Sequence, residues 1–281
     1  GTGNPDAQAV VTAIGDEQYH TIVTPYVDAS NLLVVETLLA NRWGPMLQTE
    51  GHAFAAASGT HAELITLGNS RNSPHLTIMA AGKSPTPAYV WAAVAGAVDA
   101  FEPDPARPRQ TLPLPGVLPA AIADRHTRDE RNLLLQDGVS TTTVDAGGRV
   151  LIERLITTYQ VNAFNVADIS YLDVETMRTL AYLRLTVRAR ISQRFPRHKL
   201  ADDGTRFAPG QAVVTPNVIR AELVALFKQW EEAGLVEGME QFKRDLIVQR
   251  SGTDPNRVDA IIPPDVINQF RGLAAQVQFR L

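Results

Sequence analysis

Cysteine is absent from this 281-residue chain, which excludes disulfides, thiolate metal sites and a cysteine nucleophile. A surplus of positive charge is also missing. The 26 basic residues face 30 acidic ones, for a net charge of −4, so the chain is not a strongly basic nucleic-acid binder. No apolar run approaches the ~18–20 residues that span a bilayer. The start, Gly1-Thr2-Gly3-Asn4-Pro5, has neither the charged nor the apolar region of a secretory signal. It has no initiator Met, which points to a fragment or a processed chain. What is present suits a globular protein. At 44% hydrophobic and 20% charged residues, one large domain or two medium ones can bury a core.

Charge is split unevenly along the chain. Residues 1–149 carry 9 basic and 15 acidic residues, and residues 150–281 carry 17 and 15, which predicts two domains. The first half alternates helix and strand signals. Helices are expected over Asp6 to Ile14, Asn31 to Asn41 (capped by Ser30 or Asn31), Thr60 to Leu67 and Ala88 to Phe101. Strands are expected over His20 to Val27, Ala53 to Ala57 and His75 to Ala81. Near-continuously apolar strands separated by helices predict a parallel sheet covered on both faces. Six prolines between Pro103 and Pro119 make residues 103–119 either a linker or a rigid strap. Thr127 and Glu130 fit a capping box for a helix from Arg128 to Gln136.

The second half opens with a hairpin, Ser140 to Asp145 and Arg149 to Thr157, around Ala146-Gly147-Gly148. Asp173 caps a long helix ended by Pro196, and Thr215-Pro216 starts another that Gly234 stops. Leu246 to Gln249 and Val258 to Ile262 read as strands. At the end, Leu273, Ala275, Val277, Phe279 and Leu281 alternate with polar or small residues. That is the period of a half-buried strand over 273–281.

Chemistry-bearing patterns are scarce. No two of the six histidines lie three to five residues apart, so metal-ligand spacing is missing, and neither phosphate-loop glycine pattern occurs. There is no G-x-S-x-G elbow. Ser58-Gly59-Thr60-His61 resembles the H-G-T-H segment of subtilisin-like proteases, with Ser58 where that family has its general base. A serine cannot take a proton near neutral pH, and the family's nucleophile segment is missing. The helix after Asp173 carries Arg178, Arg184, Arg188, Arg190 and Arg194 beside an apolar stripe of Met177, Leu180, Leu183, Val187 and Ile191. Set on the flanks of that stripe rather than on an exposed face interleaved with aromatics, these read as snorkelling or interface arginines.

Longer blocks carry a more specific signal. They include Asn41-Arg42-Trp43-Gly44-Pro45-Met46, Leu67-Gly68-Asn69-Ser70-Arg71-Asn72-Ser73-Pro74-His75, Gln110-Thr111-Leu112-Pro113-Leu114-Pro115-Gly116-Val117, Ile152-Glu153-Arg154-Leu155-Ile156-Thr157-Thr158-Tyr159-Gln160, Phe195-Pro196-Arg197-His198-Lys199-Leu200-Ala201-Asp202-Asp203-Gly204 and Asp254-Pro255-Asn256-Arg257-Val258-Asp259. In these blocks the chain resembles the contractile tail sheath proteins of Mu-like bacteriophages and related prophages. Family members are longer at the N-terminus, so the resemblance implies the C-terminal portion of a sheath protomer.

The expected fold is α/β. A subtilisin-like or Rossmann-like three-layer parallel-sheet domain spans 5–145, with the strap 103–119. An α+β C-terminal sheath domain spans 146–281 and ends in an interaction strand, 273–281. The resemblance implies a structural subunit with no catalytic, cofactor or metal site. It polymerises helically around a tail tube and contracts to drive the tube through the host envelope. Implied partners are further copies, the tube protein, and the baseplate and tail terminator proteins, without direct nucleic-acid contact or membrane insertion. Implied places are the virion tail and, during assembly, the host cytoplasm. In the family, terminal arms link neighbours through shared sheets, which nominates 273–281. A C-terminal-domain helix grips the tube, which nominates Arg220, Lys228, Glu231 and Glu232 on the helix after Pro216. The competing class is a degenerate or cryptic subtilisin-like serine hydrolase.

Overall fold

The computed structural model describes residues 3–278. The chain forms two compact units, one through Pro105 together with Arg109–Thr186, the other from Ala106–Pro108 and the chain from Val187 onward.

The first unit is built on a five-stranded sheet in the order β1 (Thr21–Val23), β2 (His52–Ser58), β3 (Leu76–Gly82), β4 (Val139–Val144), β5 (Val150–Arg154). The first four are parallel and β5 is antiparallel to β4. Helices α1 (Gln8–Ile14), α2 (Ala29–Trp43), α3 (His61–Asn69), α4 (Ala88–Phe101) and α5 (Arg128–Gln136) fill the connections. Strand β2 shows why two layers of helix are needed. Ala53, Ala55 and Ala57 point into a core with Leu32, Leu39, Leu64 and Leu134, from α2, α3 and α5. Phe54 and Ala56 point into another with Trp91, Ala92 and Ala95 of α4. Side chains alternate between faces along a strand, so an apolar run must be covered twice. Gly96 lets α4 lie close, because a Cβ there would sit 3.2–3.3 Å from Val23, Phe54 and Thr21 side-chain atoms.

Strand order runs without reversal, so the crevice at a topological switch point that defines a Rossmann-like sheet does not arise. The expected start of the second domain at 146 falls between β4 and β5, two strands of one sheet. The Pro-rich segment is a strap. Ile152 N–H donates to Leu112 O, and Thr111 and Leu114 N–H donate to Ile152 O and Val150 O, at 2.7–2.9 Å. These bonds cover the edge of β5, which would otherwise offer an open ladder. Helix α2 is capped by Asp28, whose side chain accepts from Asn31 N–H, rather than by Ser30 or Asn31. The capping box at Thr127 and Glu130 forms as expected.

Helix α6 (Val174–Arg194) follows, its residues to Thr186 counted in the first unit and the rest in the second. The second unit adds short strands β6 (Lys199–Leu200) and β7 (Val213–Val214), helix α7 (Pro216–Glu232), β8 (Val236–Glu237), helix α8 (Met239–Asp245), β9 (Ile247–Arg250), β10 (Val258–Ile261) and β11 (Asp265–Val266). The β9–β10 pair is an antiparallel hairpin, and β11 pairs with β8. Leu223, Leu226, Phe227 and Trp230 of α7 are buried, and the Phe227 and Phe242 rings stack at 4.0 Å.

Candidate functional site

The arginines of α6 are internal ties. Asp99 at the end of α4 is buried and receives one of them, Arg178, together with Arg109 of the strap. Arg109 Nε donates to Asp99 Oδ1 at 3.0 Å, and Arg178 Nε to Oδ2 at 2.7 Å. The Arg109 backbone N–H donates to Glu175 Oε1 at 2.7 Å, and its Nη1 to the carbonyls of Asp104 and Pro105. Further along α6, Arg184 pairs with Glu50 at 2.6 Å and lies over the Trp43 ring. Arg190 and Arg194 both pair with Glu222 of α7. The charges of Arg178, Arg184, Arg190 and Arg194 are therefore committed within the chain. The apolar stripe was visible in the sequence, but the carboxylates that answer the arginines were not.

Two histidines of the sheet are buried, His52 on β2 and His75 just before β3. His52 Nε2 lies 2.8 Å from Thr77 Oγ1, and the His75 ring packs on Trp43, centroids 5.2 Å apart. Burial pushes both imidazoles below their ordinary value of 6.5, His52 well down and His75 to about 4, with Arg178 and Arg184 adding to the shift. Between about 4 and 6.5 the unfolded chain binds protons that the folded chain does not. Stability is present above the unfolded value and is lost as pH falls through that window. Urea midpoints should drop between roughly pH 7 and pH 5, and His75→Gln should flatten the slope. An unchanged slope in that variant would remove His75 from the account.

The subtilisin-like segment lies where β2 passes into α3. Ser58 is the exposed last residue of the strand and Thr60 caps the helix through Glu63. His61 Nε2 lies 3.0 Å from the Glu130 carbonyl oxygen. That contact ties α3 to the start of α5 and leaves the imidazole occupied by a structural partner. Among the described residues, no group of three metal-ligating side chains occurs and no helix is long and apolar enough to cross a membrane.

The charges nominated on α7 separate into two kinds. Arg220 is half-buried and donates to the backbone carbonyls of Leu246 and Lys243, so it closes the end of α8. Lys228 and Glu232 are exposed and pair loosely at 3.7 Å. Glu231 is exposed and accepts from Met239 N–H. Only the last three form an outward charged face.

The end of the chain departs from a half-buried strand. After β11, Ile267 N–H donates to Leu235 O at 3.2 Å. Among the described residues from 267 to 278, none is in a strand. Leu273 is 80% and Val277 95% exposed, and Ala275 is exposed too. Phe279 and Leu281 lie outside the described residues. The alternation is present in the sequence, but residues 273–278 pair with no strand among the described residues.

Two family models match the chain in succession. A family model described as the phage tail sheath protein central domain matches residues 1–158, and one described as the phage tail sheath C-terminal domain matches residues 166–280. The Mu-like prophage FluMu tail sheath protein of Haemophilus influenzae is 48% identical over 283 residues, covering all of this chain and 58% of that protein. The chain thus spans little more than half the length of this relative. Among solved structures, the sheath tail protein Lin1278 of Listeria innocua matches with a TM-score of 0.66 at 14% identity, over 93% of this chain and 56% of that one. The contracted helical sheath of the anti-feeding prophage matches with a TM-score of 0.61 at 10% identity, over 98% and 76%. At such identities the likeness is one of fold.

Proposed function

Because this chain belongs to the phage tail sheath protein family, we propose that it is a structural subunit of a contractile tail sheath. Copies polymerise helically around a tail tube, and contraction drives the tube through the host envelope. The observation that carries this reading is the exposed, alternating segment at 273–278, paired with no strand among the described residues. A strand added to a neighbour's sheet gains main-chain hydrogen bonds and seats alternate side chains. Leu273, Ala275 and Val277, with Phe279 and Leu281 beyond them, are the side chains to be seated. The β9–β10 hairpin is a suitable acceptor, being a two-stranded sheet with Ile247 and Ile261 exposed.

The remaining assignments follow from the same reading. Tethered rigid subunits can rotate and slide as bodies during contraction, and a kinetic barrier holds the extended form. The sheet unit is read as subtilisin-like in arrangement, supported by Ser58-Gly59-Thr60-His61 at the β2–α3 junction. No bond-making step is assigned to it. Baseplate and terminator proteins would meet the ends of the polymer in the virion tail, after assembly in the host cytoplasm. Lys228, Glu231 and Glu232 are read as the face toward the tube. The test is negative-stain microscopy of the full-length protein with its tube protein. Sheathed tubes are expected, and Lys228→Glu should lower the sheathed fraction severalfold. An unaltered protein that forms no tubes at any concentration overturns the reading, and a Lys228→Glu protein that sheathes normally removes Lys228 from the grip.

A further inference from the structure

The carboxyl ends of β3 and β4 border a cavity of about 310 Å³. Ligands of open α/β sheets are received outside the carboxyl ends of the strands. The strand order here supplies no switch point, but the connection from β3 to β4 opens a crevice another way. It packs α4 against one face of the sheet and α5 against the other. Residues between them, from Pro119 to His126, line the cavity at the strand ends.

This segment is held in place around the cavity. Lys83 Nζ donates to Asp124 Oδ1 at 2.6 Å, Arg125 Nε to the Ala120 carbonyl at 3.0 Å, and Arg131 Nη1 to the His126 carbonyl at 3.0 Å. Arg131 Nε also donates to Glu153 Oε2 at 2.7 Å. Three cations therefore stand against two carboxylates. Donors are left over as well. Both Nη groups of Arg125, Nη2 of Arg131 and the hydroxyls of Thr142 and Thr143 have no partner among the described residues, and all four side chains line the cavity. His126 adds an independent sign. It is a lining residue whose Nε2 is buried with no hydrogen-bond partner, and buried polar groups are ordinarily paired. Gly82 keeps the space beside it open, since a Cβ there would lie 3.2 Å from that nitrogen.

We propose that this cavity binds a phosphate group, either the free ion or the monoester of a small molecule. Guanidinium forks match phosphate oxygens. A tetrahedral oxyanion accepts from donors spread around it, here an ammonium, two guanidinium groups and hydroxyls, whereas a carboxylate accepts in one plane. The volume is at the lower end for small-molecule sites, which suits a phosphate with few further atoms. A seated anion bridges the strand ends, the 119–126 segment and α5, and so stabilises the sheet unit by linkage. The site does not depend on the sheath reading. Burial holds the His126 imidazole below its ordinary value of 6.5, with Glu130 opposing the shift and His61 and Arg131 adding to it. A bound anion reverses part of that shift.

The test is calorimetric titration of the 281-residue chain at constant ionic strength with inorganic phosphate, glycerol 3-phosphate and succinate. A Kd below about 1 mM is expected for at least one phosphate. A ligand excess of roughly 20-fold over Kd should raise the melting temperature by roughly 4 °C. Proton NMR should show the His126 ring titrating at higher pH with phosphate bound. Arg125→Ala should weaken binding roughly tenfold. Arg128→Ala removes the same charge from a residue outside the cavity lining and should change Kd by less than about twofold. Both arginines are exposed, so both variants should fold, which circular dichroism checks. The tighter of the two phosphates identifies the source. No heat and no melting shift with either phosphate at about 10 mM overturns the site. Equal losses in the two variants reduce it to diffuse surface attraction and overturn it too. Succinate bound as tightly as phosphate overturns the assignment to phosphate.

Discussion

Asp99→Ala is expected to destabilise the first unit by about 3–5 kcal/mol, the cost of leaving buried charge without its partner. Asp99 is 2% exposed and Arg109 is 1% exposed, so water cannot replace the missing carboxylate on that side. Arg178 is less deeply buried and would recover some solvation, which keeps the effect inside that range. The loss is also spread widely. Asp99 sits on α4, Arg109 on the strap and Arg178 on α6, 79 positions away, so one carboxylate aligns two consecutive segments with a distant third. For a unit of this size a melting temperature lower by roughly 10 °C follows. Urea unfolding and calorimetry on the variant measure it. Lys228→Ala, on an exposed and loosely paired side chain, should shift stability by no more than about 0.5 kcal/mol. An Asp99 variant within about 1 kcal/mol of the parent would mean that the network relaxes or hydrates, and that the strap is held by its other hydrogen bonds, to β5 and Glu175 among them.

Deleting residues 273–281 should have the largest effect on assembly and almost none on folding. Leu273 and Val277 bury little in their own chain, so circular dichroism and melting should match the parent. Tube formation in the full-length protein should be lost, because each subunit would then lack the strand it lends. Single replacements of Leu273 or Val277 by Asp should produce the same phenotype more weakly, since main-chain pairing survives while seated side chains do not. If the truncated protein still forms tubes, the terminal segment is not the linking arm. If it melts early, the segment belongs to the core of the second unit.

Much of the sheet unit could be read directly from residue order. Alternation of apolar strands and helices announced a parallel sheet with two covered faces, and β2 meets that requirement residue by residue. Local chemistry located helix ends where the signal was local, as at Thr127 with Glu130 and at Pro216. It misplaced the α2 cap by choosing between Ser30 and Asn31, because Asp28 bonds across the start of the helix while Ser30 and Asn31 already lie inside it. The short strands β6, β7, β8 and β11 and helix α8 escaped notice. Two-residue strands have no period to detect, and their existence depends on a partner elsewhere in the chain.

Periodicity, capping pairs and proline positions determined the alternating layers and their approximate limits, because those signals act over a few neighbouring residues. Tertiary structure alone decided the rest. It turned the Pro-rich stretch into an edge cover, matched Asp99 with arginines 10 and 79 positions away, turned Arg220 inward, and left residues 273–278 without a strand partner among the described residues. These outcomes depend on which surfaces meet across long sequence distances, and a linear pattern does not specify its partners.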